Sequence, residues 1–447
     1  MQKPHNKKNP MLNPCDRQIL RLALPAIVTN ITVPLLGLVD TAIVGHMGSA
    51  SYIGAVAVGS MIFNLLYWLF GFLRMGTSGM TAQAFGRRDL AEATALLRRS
   101  VGVALSVGLL ILLLQWPLRE LMLWFVSPTE DVRPWTVTYY NIVVWGAPAM
   151  LALYAVSGWF VGMQNTRMTM VVSITQNVVN IVASVVLVYG LDMQVEGVAM
   201  GTLTAQYVGL LTAIVLLWRG YRGMLAATAT DRADKQSPGS LSFLRVNRDI
   251  FLRTLCLVAV NLYFTAVGAR QGAVILAVNT LLMQLYLLFS YIMDGFAFAG
   301  EALGGRYWGA KDWTAYRAVV RRLFGWGLLM VVLFSTVYIV GGMPFLRLLT
   351  DEPSVVEASK GYVWWAYLVP AAGVAAFVWD GIFIGTTQTR GMLTSSFVAA
   401  VVFFAGITLL QGPLGNHGLW LSMLLYLVMR GLIQTVITYT NQRHTIF

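Results

Sequence analysis

Runs of roughly twenty apolar residues, separated by short polar or charged stretches, repeat along the whole chain. They fall at about 22–45, 51–73, 95–118, 134–160, 168–190, 195–218, 250–270, 274–298, 318–342, 360–384, 392–411 and 415–438. A helix of that length matches the hydrocarbon thickness of a bilayer. The pattern therefore predicts an all-α polytopic membrane protein with twelve transmembrane helices. The first run, Leu22–Gly45, carries a single carboxylate, Asp40. Two prolines within it, Pro25 and Pro34, remove backbone donors, so a bend is expected there. Steps of three and four residues place Ala26, Thr29, Asn30, Val33, Gly37 and Asp40 on one small, polar face. An acid inside a membrane helix is costly and marks a functional site by default.

The second half of the chain repeats the first. Phe85-Gly86-Arg87-Arg88-Asp89 pairs with Trp308-Gly309-Ala310-Lys311-Asp312, and Arg98-Arg99 with Arg321-Arg322. The stretch from Ser127 to Val132 pairs with that from Thr350 to Val355, and Gly162–Arg167 (GMQNTR) with Gly385–Arg390 (GTTQTR). One offset, 223 residues, relates all four pairs. Each half holds six spans, an even number, so the copies have the same orientation. That is a parallel repeat about an axis along the membrane normal, with a central cavity and rocking lobes as its usual use. The expected organisation is a tail at 1–16, a first lobe at 17–219, a linker at 220–248, a second lobe at 249–440 and a tail at 441–447.

Charge refines this picture. The chain has a net charge of +12, yet only 11% of its residues are charged and 57% are hydrophobic, with mean hydropathy +0.68. Of the 31 Lys and Arg residues, all but Arg119, Arg133, Arg270, Arg347 and Lys360 fall on the side of the N-terminus or close to it. Positive charge marks the cytoplasmic side, so both termini are expected there. The net charge is then a result of topology, and no nucleic-acid partner is expected. The basic N-terminal stretch is followed by no short apolar core with a cleavage site, so no removable signal peptide is expected. Cys15 and Cys256 are placed at cytoplasmic helix ends, with no disulfide.

Polar residues inside the spans are the candidate chemistry. Ser173, Asn177, Asn180 and Ser184 share one face of the fifth helix. They form either interhelical hydrogen bonds or one wall of an ion or substrate site. In the sixth helix Gly197 and Gly201 are close-packing positions, and Thr202 and Gln206 would complete the polar wall. Asp380, deep in an apolar run, either exchanges protons or pairs with an arginine such as Arg270. Asp294 and Glu301 are expected near the basic cytoplasmic surface, paired with Arg306 or Lys311. The loops after the second and eighth helices read as helix starts anchored to lipid headgroups through arginines, or as a latch between the lobes. Tyr139, Trp145, Tyr154, Met163 and Met283 are candidate liners of an apolar chamber, since Met adapts to irregular ligands and aromatic faces attract cations. No phosphate-binding loop, HExxH, CxxC or GxSxG pattern is present. No cofactor, metal or enzymatic activity is therefore expected, and an ion gradient would supply the energy.

The stretch Leu24–Gly48 (LPAIVTNITVPLLGLVDTAIVGHMG), the paired loops, GMQNTR and GTTQTR together resemble the multidrug and toxic compound extrusion (MATE) family. Ile292–Gly305 (IMDGFAFAGEALGG) and Asp380-Gly381 resemble its DinF branch, the DNA-damage-inducible proteins of the SOS response. The resemblance spans about 17–440. It implies two six-helix lobes in a bacterial inner membrane and export of organic, often cationic, compounds in exchange for H⁺ or Na⁺. It also implies a proton site in the first lobe, with Asp40, Asn180 and Thr202 matching its acid, asparagine and threonine. One departure stands out: many relatives carry an acid four residues after that asparagine, and here the position is Ser184. The expected function is a monomeric, proton-coupled multidrug antiporter whose partners are small organic substrates, protons and the bilayer. Na⁺ coupling, and a lipid-linked precursor flippase of related architecture, are the alternatives.

Overall fold

The computed structural model describes residues 13–47, 49–230 and 240–445. Among them the chain forms twelve helical rods. The first lobe comprises α1 (Pro14–Gly45), α2 (Ala50–Gly86), α3 (Leu90–Leu113, prolonged by Gln115–Val126), α4 (Arg133–Gly162), α5 (Thr166–Gly190) and α6 (Val195–Thr230). The second comprises α7 (Ser240–Arg270), α8 (Ala273–Gly309), α9 (Trp313–Leu349), α10 (Pro353–Gly385), α11 (Thr389–Leu414) and α12 (Asn416–Thr445). Among the described residues, eleven of these rods, all but α1, are long and apolar enough to cross a membrane; α1 is 32 residues long. α1 runs as one helix through Pro25 and Pro34.

The repeat is written into the backbone. Arg88 and Lys311 both adopt left-handed φ, 60° and 57°, and so do Gln164 and Thr387, at 64° and 54°. Each pair is 223 residues apart and sits just past a helix end, the usual place for one left-handed residue. Asp89 and Asp312 then cap the following helices by accepting the amides of Glu92 and Ala315, at 2.8 and 3.0 Å. The Gly–basic–Asp motif is thus a stop and a restart: the basic residue takes the left-handed turn and the acid caps the next helix.

Three expectations change. α2 and α8 extend well beyond the apolar windows, so Arg74 lies inside a helix rather than after one and Glu301 lies well before the end of its helix. Arg253 and Arg430 are likewise buried within the bundle, although the charge bias survives without these three. Within the 220–248 stretch, α6 continues to Thr230 and α7 begins at Ser240; positions 231–239 lie outside the described residues. Most of the N-terminal tail, 1–12, and the end of the C-terminal tail, 446–447, also lie outside them. Both cysteines are free, and Cys256 sits within α7 rather than at its end.

The lobes meet over one half of the bundle. At the end that holds the N-terminus, Arg322 pairs with Asp16 at 3.3 Å and the Tyr307 hydroxyl donates to Gln18 at 2.9 Å. The Gln83 amide donates to the Gly385 carbonyl and to Thr387, both at 3.0 Å, and Gln164 donates to the Ala302 carbonyl at 2.7 Å. A Cβ on Gly86 would stand 2.0 Å from the Arg306 carbonyl, and one on Gly309 would stand 2.3 Å from that of Gln83. The two glycine contacts are equivalent under the repeat. The outermost inter-lobe bond, from Asn30 to the Tyr291 carbonyl at 3.2 Å, lies midway along α1. Among the described residues no inter-lobe hydrogen bond or ion pair occurs beyond it.

Candidate functional site

The first-lobe site begins at Asp40. It is 8% exposed, and its Oδ1 has no hydrogen-bond partner among the described residues. α1 is held beside α5 by Thr32 and Ser173, whose hydroxyls lie 3.3 Å apart, and by the Tyr189 hydroxyl, which donates to the Ile43 carbonyl at 3.0 Å. Asp40 lies within electrostatic reach of the Tyr139 ring on α4, whose hydroxyl also faces Ser60 on α2 and Thr202 on α6. Asn180 donates from Nδ2 to the Thr202 hydroxyl at 3.1 Å. Ser184 packs on Gly201, where a Cβ would stand 2.2 Å from its hydroxyl. Asp40 of α1 thus stands beside a polar wall to which Tyr139 of α4, Asn180 of α5 and Thr202 of α6 contribute.

Pairing along this wall is incomplete. Buried polar atoms are nearly always hydrogen-bonded. Here Asp40 Oδ1, Asn177 Nδ2, Asn180 Oδ1, Ser184 Oγ, Gln206 Oε1 and the Tyr67 hydroxyl are all buried without a partner. Gln206 rests on Gly146 and faces Tyr67, and Tyr154 stands near the same ring. Tyr67 and Ser60 carried no sequence signal, because α2 reads as a plain apolar span. The other candidates lie elsewhere. Met163 packs with Trp159 and Phe160 in an apolar core, Met283 belongs to the second lobe, and Trp145 is 52% exposed.

The second-lobe acids are not where the sequence reading put their partners. Asp380 is buried in α10 and binds Arg253 of α7 and Arg430 of α12 through Oδ2, the latter at 2.5 Å. Gln434, one turn beyond Arg430, donates to its Oδ1 at 2.7 Å. Arg270 is exposed at the end of α7 and takes no part. Glu301 is 1% exposed and pairs with neither Arg306 nor Lys311. It accepts both Arg74 amino groups, at 3.1 and 3.2 Å, and the Ser78 hydroxyl at 2.8 Å, across the lobe interface. Ser78 and Glu301 occupy the same place in the two repeats, so this contact lies on the pseudo-twofold axis. The Arg74 guanidinium also stands 4.1 Å from the Phe298 ring centre, a cation–π contact.

Two repeated six-helix lobes are the architecture that the comparisons with known proteins also return. Residues 25–186 and 250–407 match the MatE family model. The chain is 39% identical over 427 residues to the DNA damage-inducible protein F of Escherichia coli (strain K12), covering 94% of this chain and 91% of that protein. It is 25% identical over 442 residues to Protein DETOXIFICATION 44, chloroplastic, of Arabidopsis thaliana, covering 95% and 82%. Its fold superposes on the crystal structure of the Vibrio cholerae MATE transporter VcmN in the bent form with a TM-score of 0.84, at 17% identity over 96% and 97% of the two chains. One family match falls in each half of the duplicated bundle, and with the near full-length relative they establish that this multi-pass membrane protein belongs to the MatE family.

Proposed function

We propose that this chain is an efflux antiporter of the bacterial inner membrane, exporting organic cations in exchange for protons taken up at Asp40. The observation that carries the reading is Asp40 itself, an acid buried in a wall of partly unpaired polar groups. A buried charge without full hydrogen bonding is costly, and binding one proton removes that cost. The coupling follows from competition. A charged Asp40 favours a cationic substrate in the cleft; a neutral one does not, and its wall can close as α1 bends at Pro25 or Pro34. With the termini in the cytoplasm, as the charge bias implies, the joined half of the lobes is the cytoplasmic half. The cleft then faces outward, toward the side from which protons enter.

Two observations favour protons over Na⁺ and efflux over lipid flipping. Ser184 stands where a second acid would complete a paired-carboxylate sodium site. The first-lobe wall is neutral or acidic, whereas a flippase for lipid phosphates calls for a cationic one. In everted vesicles loaded by a fluorescent cation, Asp40→Asn is expected to reduce coupled efflux to the leak rate while the protein remains folded. Wild-type efflux by that variant would sink the claim for Asp40. Replacing Na⁺ by K⁺ is expected to leave wild-type efflux unchanged, and a protonophore to abolish it.

A further inference from the structure

The charges around the interface form a set of six. Arg74 pairs with Glu301, while Arg253 and Arg430 share Asp380. These pairings leave one positive charge without an acid. Asp294, on α8, lies within electrostatic reach of Arg74, Arg253, Asp380 and Glu301. It balances the set, yet forms no ion pair within 4 Å and no hydrogen bond among the described residues. Its carboxylate is thus a compensating charge whose oxygens remain free to accept.

The surroundings of Asp294 say what it can accept. α8 divides by burial into stripes. Leu282, Leu285, Phe289, Met293 and Phe296 form its buried seam. Gln284 and Leu288 are exposed. Between them runs a half-buried stripe of Met283, Tyr286, Leu287, Ser290, Tyr291 and Asp294. Residues at three- and four-residue steps share a helix face, so Asp294 ends a strip of apolar, aromatic and hydroxyl groups. Tyr286 and Tyr291 both lie within electrostatic reach of it. Two turns further along the helix, Arg74 and Glu301 close the interface. The strip ends at the closed floor, on the side where inter-lobe bonds cease.

We propose that Asp294 and this α8 strip form a second-lobe subsite for a monovalent organic cation, with Asp294 as the charge-recognising group, Tyr286 and Tyr291 as aromatic faces, and Met283 as an adaptable wall. The proposal rests on the efflux reading and adds where the cation sits and what holds it there. A cation beside Asp294 is attracted by the carboxylate and by the π-faces. Its own charge is balanced only at the expense of Asp294's hold on Arg74 and Arg253. Occupancy of the subsite is therefore felt at Arg74–Glu301, the ion pair on the axis between the lobes.

The test is binding of tetraphenylphosphonium to the purified full-length protein in nanodiscs at fixed pH. Asp294→Asn is expected to weaken binding at least tenfold, Asp294→Glu to recover most of it, and the apparent Tm of D294E to stay near the wild-type value. Ser290→Trp, which fills the strip and leaves all six charges in place, is expected to weaken binding to a similar degree. It keeps the test decisive should D294N fail to fold. Wild-type affinity in D294N, or in S290W where D294N does not fold, would overturn the subsite alone. A wild-type protein that binds no tetraphenylphosphonium would overturn the organic-cation reading, and the subsite with it.

Discussion

Asp380 shows how one buried acid can tie three helices together. Its two oxygens hold Arg253, Arg430 and Gln434, and all four side chains are buried. Removing the acid strands two guanidinium groups in a low-dielectric interior, and breaking a buried pair in this way costs about 3–5 kcal/mol. Asp380→Asn is therefore expected to lower the apparent Tm of the solubilised protein by several degrees. Adding Arg430→Met to D380N is expected to return part of that loss, since one stranded charge is removed; a double-mutant cycle by thermal unfolding checks the sign. Asp40 presents the opposite chemistry, with an oxygen left unpaired. Both residues read alike in sequence, as single acids in apolar runs. The distinction lay in partners 127 and 50 residues from Asp380, a distance over which local patterning carries no information. Arg430, inside the apolar run of α12 and one turn from Gln434, was the available clue that a buried acid needed a partner.

At the scale of elements, the twelve spans and their duplication were legible because each rests on a local signal, apolar length or a turn motif. The ends of α2 and α8 were not. Arg74 and Glu301 look like the polar edge of a span, because a charge usually marks the membrane boundary. These helices instead continue to Gly86 and Gly309, with the charges neutralising each other inside. What allows the extension is contact between backbones. A Cβ on Gly79 would stand 1.9 Å from the Ile384 carbonyl oxygen, closer than any rearrangement of a side chain could relieve. Gly79→Ala is therefore expected to penalise the joined arrangement of α2 and α10. Over-packing of this kind costs about 1–3 kcal/mol. In a background lacking Cys15 and Cys256, a reporter Gln83→Cys is expected to react with maleimide faster when Gly79 is replaced. An unchanged rate would show that the helices yield without parting.

At the scale of the molecule, the two lobes are joined along one half and unbonded along the other, as alternating access by rocking requires of one of its end states. Ala82 and Gly305 are counterparts in the repeat and touch across the axis, the Ala82 Cβ lying 2.7 Å from a Cβ built on Gly305. In the same cysteine-free background, Ala82→Cys with Gly305→Cys is expected to form a disulfide and arrest efflux. Reductant is expected to restore it. Crosslinking without arrest would mean that the lobes do not part here during transport. The axis itself carries a further consequence. In an assembly of two identical six-helix subunits, a residue on the two-fold axis must face its own copy. Two glutamates meeting there would repel and one would lose its charge, whereas two serines would leave Arg74 without an acid. Glu301 facing Ser78 is open only to halves that have diverged. Joining the halves in one chain thus made a lopsided centre attainable, and the closure at Arg74 and Glu301 belongs to the fused protein rather than to any symmetric dimer that its repeats could form.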